Sequence, residues 1–123
     1  MEKNYLTGKI IGCAIEVHRK LGPGLLESTY QQCIAREFAI NNIKFYLEHA
    51  LPIKYKGVHL ACGYRIDILV ENKVILELKS VDEIKGIHRA QLLTYLRLSD
   101  MHTGLLINFN VKKLVDGIER FIL

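Results

Sequence analysis

Proline occurs only twice in 123 residues, and no apolar run approaches the roughly 20 residues that would cross a bilayer. With half of the residues hydrophobic, so little proline excludes a disordered or fibrous chain. The opening MEKNYLTGKI has no apolar core of the signal-peptide kind. A soluble, cytoplasmic protein without a membrane partner is therefore expected. Cysteine is sparse: Cys13, Cys33 and Cys62 are odd in number, widely spaced and include no Cys-x-x-Cys pair. That excludes a zinc ribbon, an iron–sulfur cluster and a disulfide framework, and leaves the three as small core hydrophobes. Linkers, repeats and dense basic runs are also missing. The net charge of +4 is mild, its excess lies in the first 60 residues, and it tilts the chain toward polyanionic partners without naming one.

The length suits one domain spanning residues 1–123, with one core. From Tyr5 to Leu21 the residues Leu6, Ile10, Cys13 and Val17 recur at helical spacing, which predicts an amphipathic helix. Leu21-Gly22-Pro23-Gly24 stops it, because glycine takes the left-handed position after a helix and proline cannot continue one. A second helix is expected from about Leu25 to Ile40, burying Leu26, Tyr30, Cys33, Ile34 and Phe38 and ending at Asn41-Asn42. Glu27 falls in its first turn, on the same side as Tyr30. Attraction of an acid to the helix dipole, worth ~0.3–1 kcal/mol, accounts for it unless this helix start faces other carboxylates.

Short strand-like segments follow at 45–48, 51–55 and 58–61, with Lys56-Gly57 reading as a hairpin turn. Lys54, Lys56 and His59 lie around that turn, either as a solvated tip or within reach of a phosphate backbone. Gly63–Ser80 (GYRIDILVENKVILELKS) then sets Asp67, Glu77 and Lys79 inside two aliphatic runs joined by the polar Glu71-Asn72-Lys73. Strand periodicity puts Glu77 and Lys79 on one face, and pairing about Asn72 brings Asp67 opposite Glu77. Two accounts fit: an edge hairpin with its polar face in water, or a site where two hard carboxylates hold a divalent cation beside an ammonium.

Helical spacing returns over 86–98, where Ala90, Leu93 and Leu96 form one stripe and His88, Gln91 and Tyr95 another. Gln and Tyr, in place of Lys and Glu, suggest that the second stripe faces something other than water. His88 is equally well explained as a helix-start residue satisfied locally. Gly104–Phe109 reads as a strand covered on both faces, parallel to 73–79 through the helix that precedes it. A helical turn at 111–115 and an edge strand at 118–123 complete an α/β unit.

Taken together, Asp67, Glu77-x-Lys79 and Gln91-x-x-x-Tyr95, in the order helix, helix, β-meander, helix, strand, resemble the PD-(D/E)XK nuclease superfamily. Within it, Gly24-x-x-Glu27-x-x-Tyr30 resembles the signature of the small bacterial and archaeal GxxExxY proteins. The resemblance covers about Ile10 to Leu123. It implies a restriction-endonuclease-like core: a mixed sheet with an antiparallel meander flanked by helices. It further implies that Asp67 and Glu77, helped by the Leu78 carbonyl, bind Mg²⁺ or Mn²⁺, with Glu27 a further acid there. Lys79 would orient or deprotonate the attacking water, while Gln91 and Tyr95 would support the site and approach nucleic acid, expected to be DNA. Lys54, Lys56 and His88 are the weaker candidates for nucleic-acid contact.

Related recombination-type nucleases often carry His where this chain has Glu27, and their iron–sulfur cysteines are missing here. Two other functions stay open: a catalytically silent module binding nucleic acid or an unidentified protein partner, and an enzyme acting on another phosphodiester. One site per chain is compatible with a homodimer that cuts both strands of a duplex.

Overall fold

The computed structural model describes residues 3–123. Helix α1 (Lys3–Leu21) and helix α2 (Glu27–Ile40) lead into strand β1 (Phe45–Ala50) and the short strands β2 (Ile53–Tyr55) and β3 (Val58–Leu60). Strands β4 (Arg65–Val70) and β5 (Val74–Lys79), helix α3 (Gly86–Ser99), strand β6 (Thr103–Asn108), a 3-10 turn (Leu114–Gly117) and strand β7 (Ile118–Ile122) follow. Among these residues no helix is long and apolar enough to cross a membrane.

Strands β1-β4-β5-β6-β7 form one mixed sheet in that order. β5 runs antiparallel to β4 and parallel to β6, the parallel step being made through α3 as the aliphatic run at 104–109 requires. All six residues of β6 are buried. The packing has two faces. On one, Leu6, Ile10, Val17, Tyr30, Ile34 and Phe38 of α1 and α2 meet Ile68, Leu76, Leu78 and Ile107. On the other, Leu92, Tyr95 and Leu96 of α3 meet Ile66, Leu69, Ile75 and Leu106. This is the α/β core that the PD-(D/E)XK resemblance implies, a mixed sheet flanked by helices.

Several local expectations shift. The antiparallel meander is β1-β4-β5, because β1 bypasses its sequence neighbours to pair with β4, while among the described residues β2 and β3 pair only with each other; β7 adds a separate antiparallel pairing on β6. Leu26 is exposed, since α2 begins one residue after it and leaves it as the N-cap. In α3 the buried stripe is Leu92, Tyr95 and Leu96, whereas Ala90 is exposed. Of the cysteines only Cys13 is buried; Cys33 is half-buried and Cys62 exposed. The helical turn near 111–115 is the 3-10 turn at Leu114–Gly117.

Candidate active site

β4 and β5 are interior strands, so Asp67 and Glu77 are not the polar face of an edge hairpin. The ladder pairs Val70 with Val74 and Ile68 with Leu76, which sets residue 67 opposite 77. At that point the carboxylates themselves take up strand amides. The Asp67 N–H donates to Glu77 Oε2 (2.8 Å), and the Leu78 N–H donates to Asp67 Oδ2 (2.8 Å). Glu77 is 5% exposed. Burial, then the nearby Asp67 charge, push its carboxyl up to about 8 from 4.5. Burial also raises Asp67, against the Leu78 N–H bond that lowers it; Glu48 and Glu27 raise both or one of the pair, and the Lys79 ammonium draws both down. A buried and a half-buried carboxyl that resist ionisation side by side form a site short of positive charge.

Glu27 stands on the α2 flank. Its Oε2 accepts the Ser80 N–H (3.3 Å), and the Ser80 hydroxyl donates to the Leu25 carbonyl (2.6 Å), so the helix start is tied to the residue after Lys79. The α3 flank presents Tyr95, whose hydroxyl accepts from Gln91 Nε2 (3.3 Å). Burial, then the charge of Glu77, raise the Tyr95 phenol. His88 turns away: its Nδ1 accepts the Lys85 N–H (3.0 Å) at the start of its own helix. Lys54 pairs with His59 across the β2–β3 ladder, and Lys56 sits in the hairpin turn.

Three residues enter the site that the sequence did not single out: Ser28, Gln31 and Glu48. A cavity of about 260 Å³ is lined by Glu27, Ser28, Gln31, Glu48, Asp67 and Leu78. Gln31 Nε2 donates both to Glu48 Oε2 (2.9 Å) and to the Asp67 carbonyl (3.0 Å), clamping β1 to β4. Glu48 lies in a strand with φ of 50°, a left-handed conformation uncommon outside glycine. The register on either side, Leu47 with Ile68 and His49 with Ile66, puts it opposite Asp67. Gln31 was legible in one respect, being four residues from Glu27 and hence on the same helical side. Nothing local marks Glu48.

The donor set is hard oxygen throughout, the type that takes Mg²⁺ or Mn²⁺ in preference to a soft metal. The raised Asp67 and Glu77 carboxyls supply the motive, since a divalent ion would hold both ionised. No three His, Cys, Asp or Glu side chains among the described residues are already gathered as a cation cage. The residues fit such an ion in chemistry and charge, with side-chain rotation left to complete the geometry.

No curated protein and no solved structure matches the chain. The family model described as PD-(D/E)XK nuclease superfamily matches residues 4–121, from the first turn of α1 through β7. That span takes in every motif residue above, and the chain belongs to the PD-(D/E)XK nuclease superfamily.

Proposed function

We propose that this chain is a divalent-cation-dependent nuclease of the GxxExxY type, hydrolysing phosphodiester bonds of DNA. The observation that carries it is the buried Glu77 beside the half-buried Asp67 on two interior strands, with Lys79 on the same strand face as Glu77. Asp67, Glu77 and Glu27, with the Leu78 carbonyl, would hold Mg²⁺ or Mn²⁺. When bound, such an ion supplies a Lewis acid for the phosphoryl oxygen and lowers the pKa of water. Lys79 orients the attacking water and offsets charge building on the phosphate. Gln91 and Tyr95 line the α3 side of the strand to be cut. Lys54 and Lys56 meet the phosphate backbone away from the cut, His88 contributing less because its ring is engaged with Lys85.

The test is cleavage of supercoiled plasmid and of labelled single strands in Mg²⁺ and in Mn²⁺, beside Asp67→Ala and Lys79→Ala. Loss of cutting in both variants is expected; full cutting by Lys79→Ala sinks the proposal. A second reading is favoured by one observation: Asp67 Oδ2 and Glu77 Oε2 are each already taken by a backbone N–H. On that reading the chain is a binding module that retains the fold, and the wild type binds DNA without turnover in any divalent ion.

A further inference from the structure

We infer that Tyr30 is a positioning residue whose hydroxyl holds Glu27 against the end of β5. The inference rests on the nuclease reading in one respect, that Glu27 serves the cation.

The five residues between α1 and α2 must reverse the chain, and they do so with Gly22 at φ 73° and Gly24 at φ 94°. Only glycine enters that region freely, which accounts for the first position of Gly24-x-x-Glu27-x-x-Tyr30. The start of α2 has no side-chain cap, its N-cap being Leu26. The loop is fastened from inside instead. The Tyr30 hydroxyl donates to the Gly22 carbonyl (2.6 Å) and accepts the Leu25 N–H (3.1 Å).

Tyr30 is fully buried, and its ring lies nearly flat on Phe109, with centroids 4.2 Å apart and an 11° interplanar angle. The Phe109 N–H donates to the Lys79 carbonyl (2.9 Å). From the other side, the Leu25 carbonyl accepts the Ser80 hydroxyl, and the Ser80 N–H reaches Glu27. Two routes out of Tyr30, one through its ring and one through its hydroxyl, therefore converge on Lys79 and Ser80. Burial alone would be served by phenylalanine. The hydroxyl is needed because it bonds the loop that carries Glu27, and a buried hydroxyl left without partners is costly.

Tyr30→Phe keeps the ring and its stacking and removes both hydrogen bonds. Mn²⁺ affinity, measured by titration calorimetry on the full chain, is compared in a double-mutant cycle with Glu27→Gln. If Tyr30 acts through Glu27, Tyr30→Phe weakens Mn²⁺ binding about tenfold in the wild type, but by less than about twofold when Glu27 is already glutamine. Equal losses in both backgrounds, no loss in the wild type, or no Mn²⁺ binding by the wild type each overturn it. Should Tyr30→Phe fail to fold, Ser80→Ala probes the same brace from its other, half-buried end in the same cycle. Coupling without any DNA cleavage would sink the nuclease reading and leave the brace standing. Cleavage with additive losses would sink the brace alone.

Discussion

The hairpins β2–β3 and β4–β5 both carry charged residues among aliphatic and aromatic ones, yet they end in opposite surroundings. None of the six residues of β2 and β3 is buried, with Tyr55 61% and Val58 57% exposed. In β5 every residue but Lys79 is buried. The difference lies in what flanks each hairpin. β4–β5 has β1 and β6 along its edges and helices over both faces, so Asp67 and Glu77 are stranded in a poorly solvated layer. β2–β3 has no strand on either edge, so Lys54, Lys56 and His59 keep their water. A charge becomes chemically unusual here through the neighbours that exclude water from it, not through the strand that carries it.

The contrast is sharpest in activity. Lys79→Ala is expected to lower cleavage about 10³-fold, as removal of a group that orients water or stabilises charge does. Lys56→Ala, the same substitution in the other hairpin, leaves the rate at saturating substrate within about twofold, since Lys56 meets no reacting atom. Parallel plasmid-nicking rates decide it, and equal losses at the two lysines would erase the distinction.

Stability separates them next. Ile68→Ala opens a cavity in the core shared with α1 and α2 and should cost about 3 kcal/mol in urea unfolding. Val58→Ala, on an exposed hairpin, should stay within about 0.5 kcal/mol. A large loss at Val58 would show that β2–β3 is packed against something.

A third effect, smaller and of unusual sign, follows from Glu77. Its folded carboxyl keeps its proton up to about 8, whereas an ordinary glutamate releases it near 4.5. Between those values the folded chain binds more protons than the unfolded one, so without metal its stability falls as pH rises toward 8 and then levels off. Glu77→Gln should remove that slope and stabilise the metal-free chain at pH 8. The same variant should lose the rise in melting temperature expected of the wild type in Mg²⁺. Thermal unfolding in chelator across pH checks both, and stability that rises with pH through this window would contradict the buried-carboxyl picture.

How much of this could be read beforehand divides along the same line. The β4–β5 hairpin, its turn and the opposition of Asp67 to Glu77 are local, set by an aliphatic pattern around Asn72, and the ladder carries them out. The parallel step to β6 was legible from an apolar run following a helix. The pairing of β1 with β4 was not, because nothing in 45–50 distinguishes a partner 20 residues away from the adjacent strand. Glu48 shared that fate: its place beside Asp67 depends on the nonlocal pairing and on a left-handed backbone that no neighbouring residue announces. Leu26 misled because helical periodicity gives a face and not a start, and a start at Glu27 in place of Leu25 turned a core position into an exposed N-cap.

The smallest expected effect tests the exposed hairpin's own role. An isolated two-stranded hairpin is only marginally stable in water, so one that is kept exposed invites a partner. Its ladder pairs Lys54 with His59 on one face and Tyr55 with Val58 on the other, with the Lys56 ammonium 5.4 Å from the centre of the Tyr55 ring at the tip. If the cationic face meets phosphates, Lys54→Ala and Lys56→Ala should each lower the slope of log affinity against log salt, by about 0.9 on duplex DNA or about 0.7 on single strands. Fluorescence anisotropy in chelator, where nothing is cut, reads this apart from catalysis, and unfolding should move by less than about 0.5 kcal/mol. An unchanged slope would remove nucleic acid from this hairpin, and its exposed Tyr55, Val58 and Leu60 would then mark it as a surface for protein.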